Sequence, residues 1–104
     1  MNKVLHIITK SEVGGAQTWV SEQVETLKGS FCFYLVTNEK GWLSDRGFED
    51  ELYLPSIERK FSLSCLFRIL SFVRKNGVDT IVASSANAGI YARLLSFFTN
   101  CKII

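Results

Sequence analysis

Short runs of β-branched and aromatic residues alternate in this chain with segments whose apolar residues recur every three or four positions. That alternation limits the fold more than any other feature. "KVLHIIT" (Lys3–Thr9), "FCFYLVT" (Phe31–Thr37), "ELYLP" (Glu51–Pro55), "TIVA" (Thr80–Ala83) and "KII" (Lys102–Ile104) read as strands. Ala16–Lys28 reads as a helix, with Ala16, Val20, Val24 and Leu27 as its apolar stripe and Gly29 as its stop. Ser62–Asn76 reads as a second, with Leu63, Leu66, Phe67, Leu70 and Val73 facing inward, Ser62 as N-cap and Gly77 as stop. Asn87–Phe98 is a third, with Asn87 near its cap, and residues 38–50 form a loop. Strands joined through helices require crossover connections, and crossovers require a parallel sheet covered on both faces. The expected fold is therefore α/β: a Rossmann-like, doubly wound parallel sheet with strand order 3-2-1-4-5. Such sheets take ligands outside the carboxyl ends of their strands, at the switch point between strands one and four. Two loops fall there, "SEVGGAQTWV" (Ser11–Val20) and "SSANAG" (Ser84–Gly89).

Composition narrows the class. At 104 residues, 47% hydrophobic and 21% charged, the chain suits one globular domain. A formal charge of +2 gives no argument for nucleic acid. Cys32, Cys65 and Cys101 are odd in number and sit in apolar runs without metal-ligand spacing, so buried free thiols are expected, with no metal site and no disulfide. The apolar run after Lys3 is too short for a secretion signal, and no run is long enough to span a bilayer. A cytoplasmic setting is the expectation.

The adjacent Gly14 and Gly15 stand where the first strand turns into the first helix. Two readings are open. The pair makes a tight corner, or it lets an anion approach the free N–H groups and positive dipole end of the helix. The dinucleotide pattern G-x-G-x-x-G fails, although Glu39 at the end of the second strand leaves a weak version of that reading. The P-loop fails outright, because no Gly-Lys-Ser/Thr is present. His6, the only histidine, lies inside the first strand and reads as a core residue, and Arg93 reads as an ion-pair partner of Asp79 or a nearby carboxylate.

The longer pattern resembles a known family. "VLHIITKSEVGGAQTWVSEQVETLKG", "EKGWLSD", "YLPSIERKFS" and "FVRKNGVDTIVASSANAGIYARLL" are similar, in order, to the glycosyltransferase 4-like N-terminal domain. That domain is the acceptor-side half of retaining, two-domain GT-B glycosyltransferases. The resemblance implies that Gly14, Gly15, Ala16 and Gln17 lie against the donor diphosphate or the acceptor. Preorganised N–H donors there would stabilise the charge gathering on the leaving nucleoside diphosphate. It implies a nucleotide-sugar donor, a glycan or lipid-linked acceptor, no metal or other cofactor, and a setting in polysaccharide or glycolipid assembly. Many members carry His-x-His at the end of the fourth strand, where this chain has Val82 and Ser84. Ser84, Ser85 and Asn87 are left as candidate acceptor contacts, or as an ordinary turn and helix cap. The Thr-x-His-Gly-like segment and the donor-binding second domain of the family are not found in the chain. The expectation is thus a catalytically inactive piece with no general base of its own, which self-associates through its uncovered sheet edge or is only marginally stable. The rival expectation is a non-catalytic flavodoxin-like or nucleotide-binding module that works through a partner.

Arg59, Lys60, Arg68, Arg74 and Lys75 fall in one segment without an acid, interleaved with Phe61, Phe67 and Phe72. The resemblance invites a surface facing anionic membrane. The plainer account, and the preferred one here, is an ordinary surface helix with its aromatics in the core and its last cations near the helix dipole.

Overall fold

A computed structural model describes residues 2–10, 14–44, 46–59 and 61–104. In chain order the elements are β1 (Asn2–Ile7), α1 (Gly15–Leu27), β2 (Phe31–Thr37), β3 (Asp50–Tyr53), α2 (Leu63–Asn76), β4 (Thr80–Ala83), α3 (Ala86–Leu95) and β5 (Lys102–Ile103). The strands form one sheet in the order β3-β2-β1-β4-β5, and every neighbouring pair is parallel. The expected topology is borne out. β1 sits at the centre, with His6 opposite Leu35 of β2 and Val82 of β4.

Alternation along β1 sends its side chains to two different layers. Leu5 and Ile7 join Tyr34, Val36 and Ile81 under α2 and α3. Val4 and Ile8 join Phe33, Leu35 and Val82 under α1. The α2–α3 layer is the thicker one: α2 alone buries Cys65, Leu66, Ile69, Leu70, Phe72 and Val73. α1 buries only Val20 and Val24. Beside α1, Val4, Leu27, Phe31, Phe33, Val82 and Ile104 line a groove of about 260 Å³.

Several local expectations hold. Ser62 caps α2, its hydroxyl accepting the Cys65 N–H, and Gly77 ends that helix in the left-handed region at φ 66°. Others are corrected. Gly29 is not a left-handed cap: α1 closes on Lys28, whose N–H reaches the Val24 carbonyl. α3 begins earlier than expected, capped by Ser85 rather than Asn87, and ends at Leu95. Ala16 and Leu27 lie at the surface, so the α1 stripe is narrower than its spacing suggested. On α2, Leu63 and Phe67 are 60% and 57% exposed, and Cys65, Ile69 and Phe72 face the core instead. Asp79 does not pair with Arg93. Its carboxylate accepts the Lys3 N–H at 2.9 Å, and Arg93 is exposed. The cysteines are free thiols; Cys65 is buried, and Cys32 and Cys101 are half-buried. No helix among the described residues is long and apolar enough to cross a membrane.

Candidate functional site

The connections after β1, β3 and β4 meet at the carboxyl end of the sheet. The Thr9 hydroxyl donates to Ser85 Oγ at 3.3 Å, joining the two loops that flank the switch point. Gln17 Nε2 donates to the Lys10 carbonyl at 2.8 Å, which folds the first turn of α1 back over the end of β1. Lys10 Nζ stands 4.0 Å from the Glu58 carboxylate. Asn87 Nδ2 donates to the Arg59 carbonyl at 3.2 Å, tying α3 to the segment after β3. The structure thus brings Gly14–Gln17, Ser84, Ser85 and Asn87 to one end of the sheet.

The start of α1 differs in kind from its neighbours. Gly14 is the N-cap, with extended backbone and no side-chain cap, and no acid lies in the first turn. Gly15 and Ala16 are exposed. The first N–H groups of a helix lack partners within it, and the cap residue Gly14 has no side chain to answer them. Neither glycine is required by the backbone. The positive-φ glycines are Gly47 and Gly77, and Gly14 has an extended conformation that any residue adopts. Packing asks little more. A Cβ on Gly15 would meet nothing within 4 Å, and one on Gly14 would meet only the far end of the Gln17 side chain, at 2.7 Å from Oε1, which would have to shift. Nothing in the described structure needs the bare backbone, which leaves room for an approach from outside.

Ser84 continues the β4 ladder, its N–H donating to Ile7 O at 3.1 Å. Its Oγ is buried and has no hydrogen-bond partner among the described residues. An unanswered buried hydroxyl costs about 1–3 kcal/mol, which a ligand could offset. Ser85 is the α3 cap, its Oγ accepting the Ala88 N–H at 3.3 Å. Asn87 is engaged by the loop after β3.

The α2 cations of the basic segment are carried by the helix rather than by the loops of this cluster. Arg68, Arg74 and Lys75 are exposed on α2, and Arg59 joins the cluster through its carbonyl, which accepts from Asn87. Lys60, like Ser11–Val13 of the opening loop, lies outside the described residues. Thr9, Lys10 and Glu58 were missed by sequence reasoning. Thr9 and Lys10 carry a usable signal, being polar residues directly after a buried strand at the switch point.

His6 sits beneath α1, fully buried, stacked on Phe33 at 5.7 Å and edge-on to Trp19 at 6.2 Å between centroids. Burial pushes the imidazole down to about 4, opposed by the smaller influence of the Gln23 side chain. Neither ring nitrogen has a partner at hydrogen-bond geometry among the described residues. It is a neutral core residue, as expected, with no route to acid–base chemistry.

These features define a doubly wound α/β domain whose ligand end is organised around an uncapped glycine turn. No protein-family profile matches the chain. Along its whole length it is 41% identical to the O-antigen biosynthesis glycosyltransferase WbnH and to the probable O-antigen biosynthesis glycosyltransferase WbiN, both of Escherichia coli. It spans 31% of the length of each. A glycosyltransferase from Rickettsia africae ESF-5 has the same fold, with a TM-score of 0.66 at 14% identity over 98% of this chain and 28% of that one. The chain is homologous to glycosyltransferases, and the resemblance read from its motifs is borne out.

Proposed function

We propose that the chain is the acceptor-side domain of a retaining GT-B glycosyltransferase. The whole enzyme transfers a sugar from a nucleotide-sugar to a glycan or lipid-linked acceptor in surface-polysaccharide assembly. A second, donor-binding domain supplies most of the nucleotide site. The observation that supports this reading is the start of α1: two glycines that neither φ nor packing demands, opening a helix with no side-chain cap. The N–H groups of Gly15, Ala16 and Gln17 act as preorganised donors to the diphosphate or to the acceptor's anionic part. Ser84, with its unanswered hydroxyl, and Ser85 line the acceptor side. Asn87 has a positioning role, because its amide is spent on the loop after β3. The enzyme works in the cytoplasm, peripheral to the membrane. The chain alone has no transferase activity, because donor binding rests on the second domain.

The test is an NMR titration of the 104-residue chain with uridine, guanosine and thymidine diphosphates. At least one should shift the amides of Gly14–Gln17, with no turnover of the matching nucleotide-sugars. Shifts confined elsewhere, or turnover by the chain alone, would overturn the reading. Self-association through the β5 edge and the adjoining groove, where Ile104 is 69% exposed, completes the proposal. A correlation time that stays monomeric as concentration rises in the same samples removes that part.

A further inference from the structure

Gln17 stands in the first turn of α1, half-buried, and its side chain runs back along the chain. Its Nε2 donates to the Lys10 carbonyl at 2.8 Å, which ties the exit of β1 to the helix. The same stretch is held to other elements as well. Thr9 Oγ1 donates to Ser85 Oγ at 3.3 Å, and Ser85 opens α3. Lys10 Nζ stands 4.0 Å from the carboxylate of Glu58, in the loop after β3. Gln17 adds α1 to this set. Its bond uses the donor end of the amide, so it takes none of the N–H groups at the helix start and leaves them for a ligand.

Gly14 is fitted to this contact. Its carbonyl accepts twice from Thr18, from the backbone N–H at 2.9 Å and from Oγ1 at 2.7 Å, which holds its peptide in place. A Cβ on Gly14 would stand 2.7 Å from Gln17 Oε1 and 3.6 Å from its Cδ. Atoms do not approach so closely, so the amide would swing away. The fold tolerates that, because the amide is the far end of a flexible side chain. The bond to Lys10 does not. Gly15 has no such neighbour, since a Cβ there meets nothing within 4 Å.

We propose that Gln17 is a positioning residue: its amide clasps the exit of β1 to the first turn of α1, and residue 14 is a glycine so that the amide can pass over it. The clasp sets the spacing between the N–H groups of Gly15 and Ala16 and the serines at the end of β4. This deepens the proposed function and rests on it. The two glycines then have different tasks. Gly14 serves the clasp, and Gly15 is left to the ligand. The Gln17 side chain orients the site without touching what binds there.

The test is titration of the chain and its variants with uridine, guanosine and thymidine diphosphates, followed by NMR, with circular-dichroism melting to check folding. Gln17→Ala and Gly14→Ala should each weaken binding of the responding nucleotide by about fivefold, the worth of one neutral hydrogen bond. The double variant should lose no more than either single one, because both changes remove the same contact. Gly15→Ala should weaken binding to the same degree with and without Gln17→Ala. The carbonyl carbon of Lys10 should shift in the same direction in Gly14→Ala and Gln17→Ala, before any nucleotide is added. Losses that multiply to about 25-fold in the double variant would overturn the proposal. So would a Lys10 carbonyl that Gly14→Ala leaves unmoved. Either result, with the nucleotide response of the parent chain intact, sinks the clasp and spares the glycosyltransferase reading. A parent chain that answers none of the three nucleotides sinks that reading's site and the positioning role with it, whatever the Lys10 carbonyl does.

Discussion

α1 and α2 are nearly the same length, 13 and 14 residues, yet they are built to different ends. α2 buries six side chains, starts on a serine cap and stops on a left-handed glycine. α1 buries two, starts on an uncapped glycine and ends without a left-handed residue. Neither helix has an acid in its first turn, but α2 starts on a side-chain cap and α1 does not. The start of α1 lies at the switch point, where a doubly wound sheet takes its ligands. The comparison teaches that the helix least secured by its own chain is the one whose start forms the proposed ligand site, as expected where binding elements come from the less stable part of a fold.

The largest test of this difference is pH. His6 supports α1 from below, and burial holds it down to about 4 from 6.5. As pH falls below 6.5 the unfolded chain takes up the proton first. Stability is therefore complete above 6.5 and is lost as pH falls toward 4, by about 3 kcal/mol at about 1.4 kcal/mol per unit. Urea melts at pH 7 and pH 4.5 should show the loss, and His6→Leu should flatten it. A slope that persists in His6→Leu would assign the effect to carboxylates. Amide exchange should show α1 opening before α2.

A smaller effect is expected from the caps. Ser62→Ala should cost about 1 kcal/mol in thermal or urea melts, because the Cys65 N–H loses its acceptor. It should leave the nucleotide shifts at Gly14–Gln17 in place. A cap deletion on α2 that also abolished those shifts would mean the two layers are coupled and the contrast is false.

The smallest effect is the sharpest. Gly15→Ala should raise stability by about 0.5–1 kcal/mol, since its Cβ meets nothing within 4 Å and alanine favours helix. It should also weaken the nucleotide response. Gly89→Ala, inside α3 and equally unobstructed, should give the same gain in melts with no change in that response. Destabilisation by Gly15→Ala would return the glycine pair to the role of a tight corner.

Much of the fold was legible because it rests on local patterns. Strand runs such as Phe31–Thr37 match the structure to the residue, and so do the Ser62 cap and the Gly77 stop. The faces of α2 were harder. "LSCLFRILSFV" has more apolar residues than one side of a helix can bury, so its periodicity admits several inward faces. Contact with α3 and the sheet selected Cys65, Ile69 and Phe72, and turned Leu63 and Phe67 outward. In the site, the glycine pair was visible as a motif, but its two readings could not be separated from sequence. Only φ angles and the space around each Cβ show that the corner does not need it.

By itself, the order of residues determined the elements, their parallel arrangement and the end of the sheet proposed for the ligand. These follow from periodicity and from the geometry of crossover connections, which act over short stretches of chain. The tertiary structure alone decided that Thr9 meets Ser85, 76 residues away, and that Asn87 serves the loop after β3. Such contacts depend on which helices share a side of the sheet, and packing settles that.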